Sequence, residues 1–494
     1  MSRLGLANPL GTLRLARLCC QWCAGKPGRQ TLLAVDREPR VSAIPFGPAS
    51  RGVVFVPTRP FRLFAATEAR SALPLLGATA AALVWANSPW LASYEALWTT
   101  NLSVQVGEAE LSKDLRHWVN DGLMTLFFLV VGLEISRQLK VGELRHWQMA
   151  TVAAAAALGG MITPALLYLA FNAGGPAARG WAMAMAGDLA LALGVLALVG
   201  PRCPPQLRVF LLMLLLVGDI AAVAVVGLLY AEVVNILALA VVVGLLVVMT
   251  LLRRLRVLRT LAYLVVGVAL WVATTASGVH PAIVGLLLGV VLTAYPPVPT
   301  QLLRRVRFGR WFEPDPTPEM QWEAPVDRGA TTVPPIQRLQ QVLHPWSGYL
   351  VVPLFALANA GVALDAQALS RAVGSPITLG ILTGLIVGNL VGIVGASLLA
   401  VRIGLGTLPR LATGQQLAGL AALAGVGFTV ALFVTDLAVT DPAAQDQAKV
   451  GILVASAAAA TLGWLLLQLP LRVPGRPRAG IDPSAGGGDA APQR

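Results

Sequence analysis

Between residues 71 and 472 the sequence is a succession of apolar runs, each near the length that a helix rising 1.5 Å per residue needs to cross a hydrocarbon core of about 30 Å. No other feature limits the fold so strongly, because a chain in lipid must satisfy its backbone polar groups within helices or a closed barrel. Runs of this length specify an all-α polytopic membrane protein. With flanking residues included where needed, we expect about twelve spans, near 71–90, 117–138, 149–172, 179–199, 207–230, 233–252, 258–277, 279–296, 345–364, 377–401, 412–435 and 450–471.

Composition agrees: 56% of residues are hydrophobic and 12% are charged. The net charge of +13 is placed in short clusters between apolar runs, which points to topology and away from nucleic acid. Alternate loops carry Arg137, Lys140 and Arg145, then Arg202 and Arg208, Arg253 to Arg259, Arg304 to Arg310, and Arg402 with Arg410. The intervening loops are poor in Lys and Arg, and the last holds Asp436, Asp441 and Asp446 against Lys449. By the positive-inside rule the basic set and both termini are cytoplasmic, in a multi-pass protein of the cell's inner membrane. Trp90, Trp118, Trp147 and Trp181 fall at span ends, where an aromatic belt belongs.

Residues 1–68 read as a basic, disordered N-terminal tail rich in Arg, Pro and Gly, followed by a membrane domain over 69–473 and a disordered C-terminal tail over 474–494. The first tail is neither a span nor a convincing signal peptide in pattern, and it reads as a basic cytoplasmic arm, a targeting sequence or an upstream over-extension of the reading frame. Residues 101–112 alternate polar and apolar side chains and read as a short extracytoplasmic β-hairpin. The Pro-rich segment 301–340 reads as one long irregular inner loop. Cys19, Cys20, Cys23 and Cys203 form neither a disulfide framework nor a complete metal site.

Four carboxylates fall inside expected spans. Asp121 and Glu134 lie towards opposite ends of the second, where hydration permits a structural or an entrance role. Asp188 in the fourth and Asp219 in the fifth lie about ten residues from either interface, where an acid costs roughly 2.5 to 3.5 kcal/mol. A structural role in an interhelical hydrogen bond is the alternative to function for these two; the functional reading is that a buried carboxylate is neutralised by taking a proton or by coordinating a cation, and a site that does one or the other exchanges the two ions. Glycines beside Asp188 in "AMAMAGDLALALG" (182–194), and in "LAGVGFTVALF" (423–433), offer places for a span to unwind at mid-membrane depth. Small-residue helix packing explains most other glycines.

Five stretches carry a resemblance: "VNDGLMTLFFLVVGLEI" (119–135), "GDLALALGVLALVG" (187–200), "SGVHPAIVGLLLG" (277–289), "QVLHPWSGYLVVPLFALANAGV" (341–362) and "GVGFTV" (425–430). In this order the sequence resembles the NhaA family of bacterial Na+/H+ antiporters over residues 70–472. The resemblance implies inverted repeats over spans three to five and ten to twelve, with the interrupted fourth and eleventh crossing at the ion site. It implies that Asp219 is the cation- and proton-binding carboxylate, here the ligand for Na+, with Asp188 the acid between the interrupted helices. Glu134, with Arg137, matches a cytoplasmic entrance. His280 matches a histidine of the pH response and reads equally as a satisfied helix-end histidine.

Four positions depart from the family pattern. Gly218 replaces the first of two adjacent aspartates, Asn389 a lysine, Gly187 a threonine and Gln340 an acid. Losing one member of an intramembrane ion pair leaves an uncompensated buried charge, so the loss of aspartate and lysine together is the tolerable change. We expect Asn389 to offer its amide to half-helix carbonyls in the lysine's place, and we expect electroneutral exchange. The implied substrates are Na+ or Li+ and H+, with the lipid bilayer as surroundings, no cofactor and no nucleic acid, and a homodimer is compatible. A carrier for another cation or a sodium-coupled solute, and a non-transporting sensor with a degenerate site, are the competing readings. No nucleophile and base constellation or phosphate loop suggests an enzyme.

Overall fold

The computed structural model describes residues 59–469, apart from 107–108, 141–146, 186, 200–202, 231–234, 256, 258–259, 293–341 and 409–412. The tail to residue 58, its three cysteines, the loop 301–340 with Gln340, residues 470–494 and most of the basic loop residues lie outside the described residues.

Helix α1, Arg59–Ala86, begins where Pro60 can occupy a first turn whose N–H groups lack helical partners anyway. The expected tail boundary at 68 therefore falls inside a helix. After the short α2, Leu91–Trp98, strands β1, Asn101–Val106, and β2, Ala109–Asp114, pair antiparallel, with Asn101 opposite Asp114. Asp114 then accepts the His117 N–H at 2.7 Å and starts α3, residues 115–140, which widens into a π-helical turn at Trp118–Leu123.

Two regions repeat the order helix, broken helix, helix. The first comprises α4, Trp147–Asn172, then a 3-10 helix at Pro176–Met185 followed by α5, Leu189–Val199, and finally α6, Pro205–Leu229. Between the two regions lie α7, Ile236–Arg254, α8, Thr260–Ser277, α9, Ala282–Leu292, and α10, residues 342–359, with a π turn at Ser347–Val351. A short α11, Ala366–Gly374, follows. The second region comprises α12, Pro376–Arg402, the pair α13, Gly414–Ala424, and α14, Phe428–Ala438, bent by 43°, and α15, Pro442–Gln468. Thr413 and Gln416 cap α13 reciprocally, while Asp441 accepts the Ala444 N–H to start α15.

The two regions are joined closely where α4 packs on α12. A Cβ on Gly159 would strike the Gly392 backbone and one on Gly392 would strike that of Gly159, so the helices approach at a distance only glycine permits.

Among the described residues seven helices are long and apolar enough to cross a membrane, or eight if α13 and α14 are one span. The other expected spans fall on α1, α8, α9 and α10, each of which borders residues outside those described.

Candidate functional site

The two interruptions meet. The Asp188 N–H donates to the Val426 carbonyl at 2.6 Å, joining the unwound stretch before α5 to the one before α14. The Asp188 carboxylate then caps both half-helices. One oxygen accepts the Leu191 N–H at 3.0 Å in the first turn of α5, and the other accepts the Thr429 N–H at 3.0 Å and the Thr429 hydroxyl at 2.7 Å in the first turn of α14. Helix α14 has Gly427 at its N-cap, with no side-chain acceptor of its own, so its cap comes from the other broken helix. Two positive helix ends and three described donors converge on one buried carboxylate.

Asp219, in the middle of α6 and also buried, shares a cavity with Asp188. Glu134, Thr429, Ser71 and Ser347 line the same cavity. Glu134 is held by the Arg137 guanidinium through both oxygens, one of them at 2.9 Å from Nε, and by Gln138 Nε2 at 2.6 Å, all three side chains being buried. Asp219, Asp188 and Glu134 therefore line one cavity without forming, among the described residues, a metal-holding cluster.

Gly218 and Asn389 face a second cavity beside the first, with Gly187 on the wall of both. Met185 and Ala424, the last residues of the two leading half-helices, also line it. Asn389 Nδ2 donates to the Leu385 carbonyl of its own helix at 3.2 Å, so the expectation that it bonds a half-helix carbonyl is corrected. Asparagine is too short to replace a lysine's reach, and its i−4 carbonyl is the nearer acceptor.

Asp121 and His280 stand apart from this centre, towards the hairpin. His280 Nε2 is 3.4 Å from Asp121 Oδ1, and Lys113 of β2 reaches the other oxygen at 2.5 Å. His280 Nδ1 accepts the Ala282 N–H at 3.2 Å, so it does serve a helix start, and the proton lies on Nε2 towards the carboxylate. Next to Asp121 on the π turn, Asn120 donates to Asp436 at 2.8 Å and exchanges amide bonds with Asn359, while Lys449 lies 3.8 Å from Asp436. This network, Thr429 and the two serines were missed in the sequence. Thr429 and Asn359 lie within quoted stretches, whereas one hydroxyl in an apolar run leaves no signal. Cys203 is buried, and burial pushes its thiol up to about 11, as expected for an inert cysteine.

The family model described as Na+/H+ antiporter 1 matches residues 62–467. A relative from Frankia alni named Na(+)/H(+) antiporter NhaA 3 is 46% identical over 408 residues, covering 83% of this chain and 88% of the relative. One from Salinispora arenicola named Na(+)/H(+) antiporter NhaA 1 is 44% identical over 85% of this chain, and the match spans 64% of that relative's length. A Mycobacterium sp. (strain JLS) relative with the same name is 41% identical over 82% of this chain and 66% of its own length.

Proposed function

The chain belongs to the Na+/H+ antiporter family, a family of membrane transporters and not enzymes, and from that premise we propose that it exchanges Na+ or Li+ for H+ with Asp219 as the shared carboxylate. The observation that carries the assignment is the division of labour in the first cavity. Asp188 caps two half-helices and Glu134 is held by Arg137 and Gln138, while Asp219, buried in the middle of α6, lines the same cavity at mid-helix and is the acid we assign to alternate between proton and cation.

Exchange is electroneutral in this reading. Gly218 and Asn389 titrate nothing, and an Asp188 that stays ionised contributes no second proton. Protons and Na+ then compete for one carboxylate, so the apparent KM for Na+ rises as pH falls, by about tenfold per pH unit below the titration of Asp219. The remaining parts of the reading are twelve spans with the two helix, broken helix, helix regions as inverted repeats, an inner-membrane location, cytoplasmic termini, an extracytoplasmic hairpin and a homodimer. Asp121 and His280 join the hairpin to the domain, and Glu134 marks the cytoplasmic entrance.

The test is purified protein in liposomes, read by Na+-driven change of internal pH and by 22Na+ uptake. Asp219→Asn preserves shape and is expected to abolish both signals, a fall of roughly a hundredfold or more. Substantial exchange by that variant would sink the assignment. Competition by K+ in the uptake assay separates an antiporter of altered selectivity.

A further inference from the structure

A dehydrated alkali cation is a hard ion that needs several oxygen ligands, and here the carboxylates supply few of them. Gly218 offers no second acid and Gly187 no hydroxyl. Among the described residues no three His, Cys, Asp or Glu side chains are grouped so as to hold a metal ion. The cation's shell must therefore draw on neutral oxygens.

Resting on the reading of Asp219 above, we infer that Ser71 and Ser347 are cation-selecting residues, their hydroxyls completing the Na+ shell in the cavity that Asp219 lines. Both serines are buried, at 1% and 6% exposure, although they come from α1 and α10, which belong to neither broken-helix region. Their neighbourhood is built for close approach: a Cβ on Gly348 would stand 2.9 Å from the Ser71 Cβ and 3.3 Å from its hydroxyl oxygen. Glycine at 348 thus lets α10 close on Ser71 beside the cavity. Ser347 opens the π turn Ser347–Val351, where the helical ladder is widened as it often is at working sites. A hydroxyl offers an acceptor oxygen without a charge, so it ligates the cation and leaves the count of titrating groups at one.

The experiment uses the full chain in liposomes and measures the apparent KM for Na+ and for Li+ at one pH. Ser71→Ala and Ser347→Ala are each expected to raise the Na+ KM by roughly three- to tenfold and the double variant by more, while the rate at saturating Na+ stays within about twofold. The ratio of Li+ to Na+ KM is expected to shift, because the two ions differ in the shell they require. Ser71→Thr and Ser347→Thr keep the oxygen and should restore much of the affinity, whereas Ser71→Cys, close in size but lacking the oxygen, should not. An unchanged KM in the double alanine variant overturns the inference, as does an equal loss in the threonine and alanine variants, which marks packing alone. Failure of the underlying reading is distinguishable, since it appears as exchange retained by Asp219→Asn or absent from the unaltered protein.

Discussion

Thr429 supplies two of the three described bonds that the Asp188 carboxylate accepts, one from its N–H and one from its hydroxyl. The hydroxyl is the part a substitution can remove. Thr429→Val keeps the volume and β-branching but deletes a bond to a charged acceptor, which is worth about 1.5 to 3 kcal/mol. We expect a lower unfolding temperature in detergent and slower exchange, with Thr429→Ser close to the unaltered protein. Equal behaviour of the valine and serine variants would show that the backbone N–H bonds alone hold the site. Asp188→Asn should be worse than Thr429→Val, because the amide turns an acceptor into a donor facing other donors. That carboxylate was legible in the sequence as a buried acid beside glycines. Its partner was not, since Thr429 lies 241 residues away and a threonine in an apolar run costs too little to stand out.

Among the elements, the long uniform helices were the legible ones: α4, α6 and α12 overrun the expected spans by two residues or fewer at each end, while α15 starts eight residues before its expected span because Asp441 caps it in the preceding polar stretch. Periodicity carried no information there, because a helix apolar on all sides has no face to report. The π turns of α3, α10 and α12 were not legible, since a widened turn changes hydrogen bonding and leaves hydropathy untouched. Glycine positions divide in a way that only packing reveals. At Gly159 an added methyl meets the Gly392 backbone, while at Gly218 it meets nothing within 4 Å. Gly159→Ala should therefore destabilise, by about 1 to 3 kcal/mol as an overpacked contact. Gly218→Ala, gaining about 1 kcal/mol of helix propensity, should be neutral or stabilising. Thermal unfolding of the two purified variants decides this, and the reverse order would mean that α4 and α12 can separate without cost.

At the scale of the whole molecule, the question is how much charge crosses the membrane in a cycle. In the proposed reading one carboxylate of the first cavity, Asp219, alternates, and the second cavity is lined by Gly218 and Asn389, neither of which titrates. A site that carries one H+ in one direction and one Na+ in the other returns with its charge unchanged. The membrane potential then supplies no driving force, whereas each net charge moved would couple to about 2.3 kcal/mol per 100 mV. In liposomes clamped with valinomycin and a K+ gradient, the Na+ gradient at equilibrium should be independent of voltage, and a shift with voltage would refute one-for-one exchange. The same assay can test whether positions 218 and 389 are coupled. Open space at Gly218 leaves room for an acid, but Gly218→Asp alone places an uncompensated charge beside the Asn389 amide and should lower stability by several kcal/mol. Adding Asn389→Lys supplies the opposite charge on the facing wall of that cavity, so the double variant should recover stability relative to Gly218→Asp and acquire further titrating groups. If those groups move protons during the cycle, the double variant's equilibrium will shift with the clamped potential where the unaltered protein's does not. A double variant no more stable than Gly218→Asp would show that the second cavity cannot hold the pair, and that the electrical character of exchange is set elsewhere in the protein.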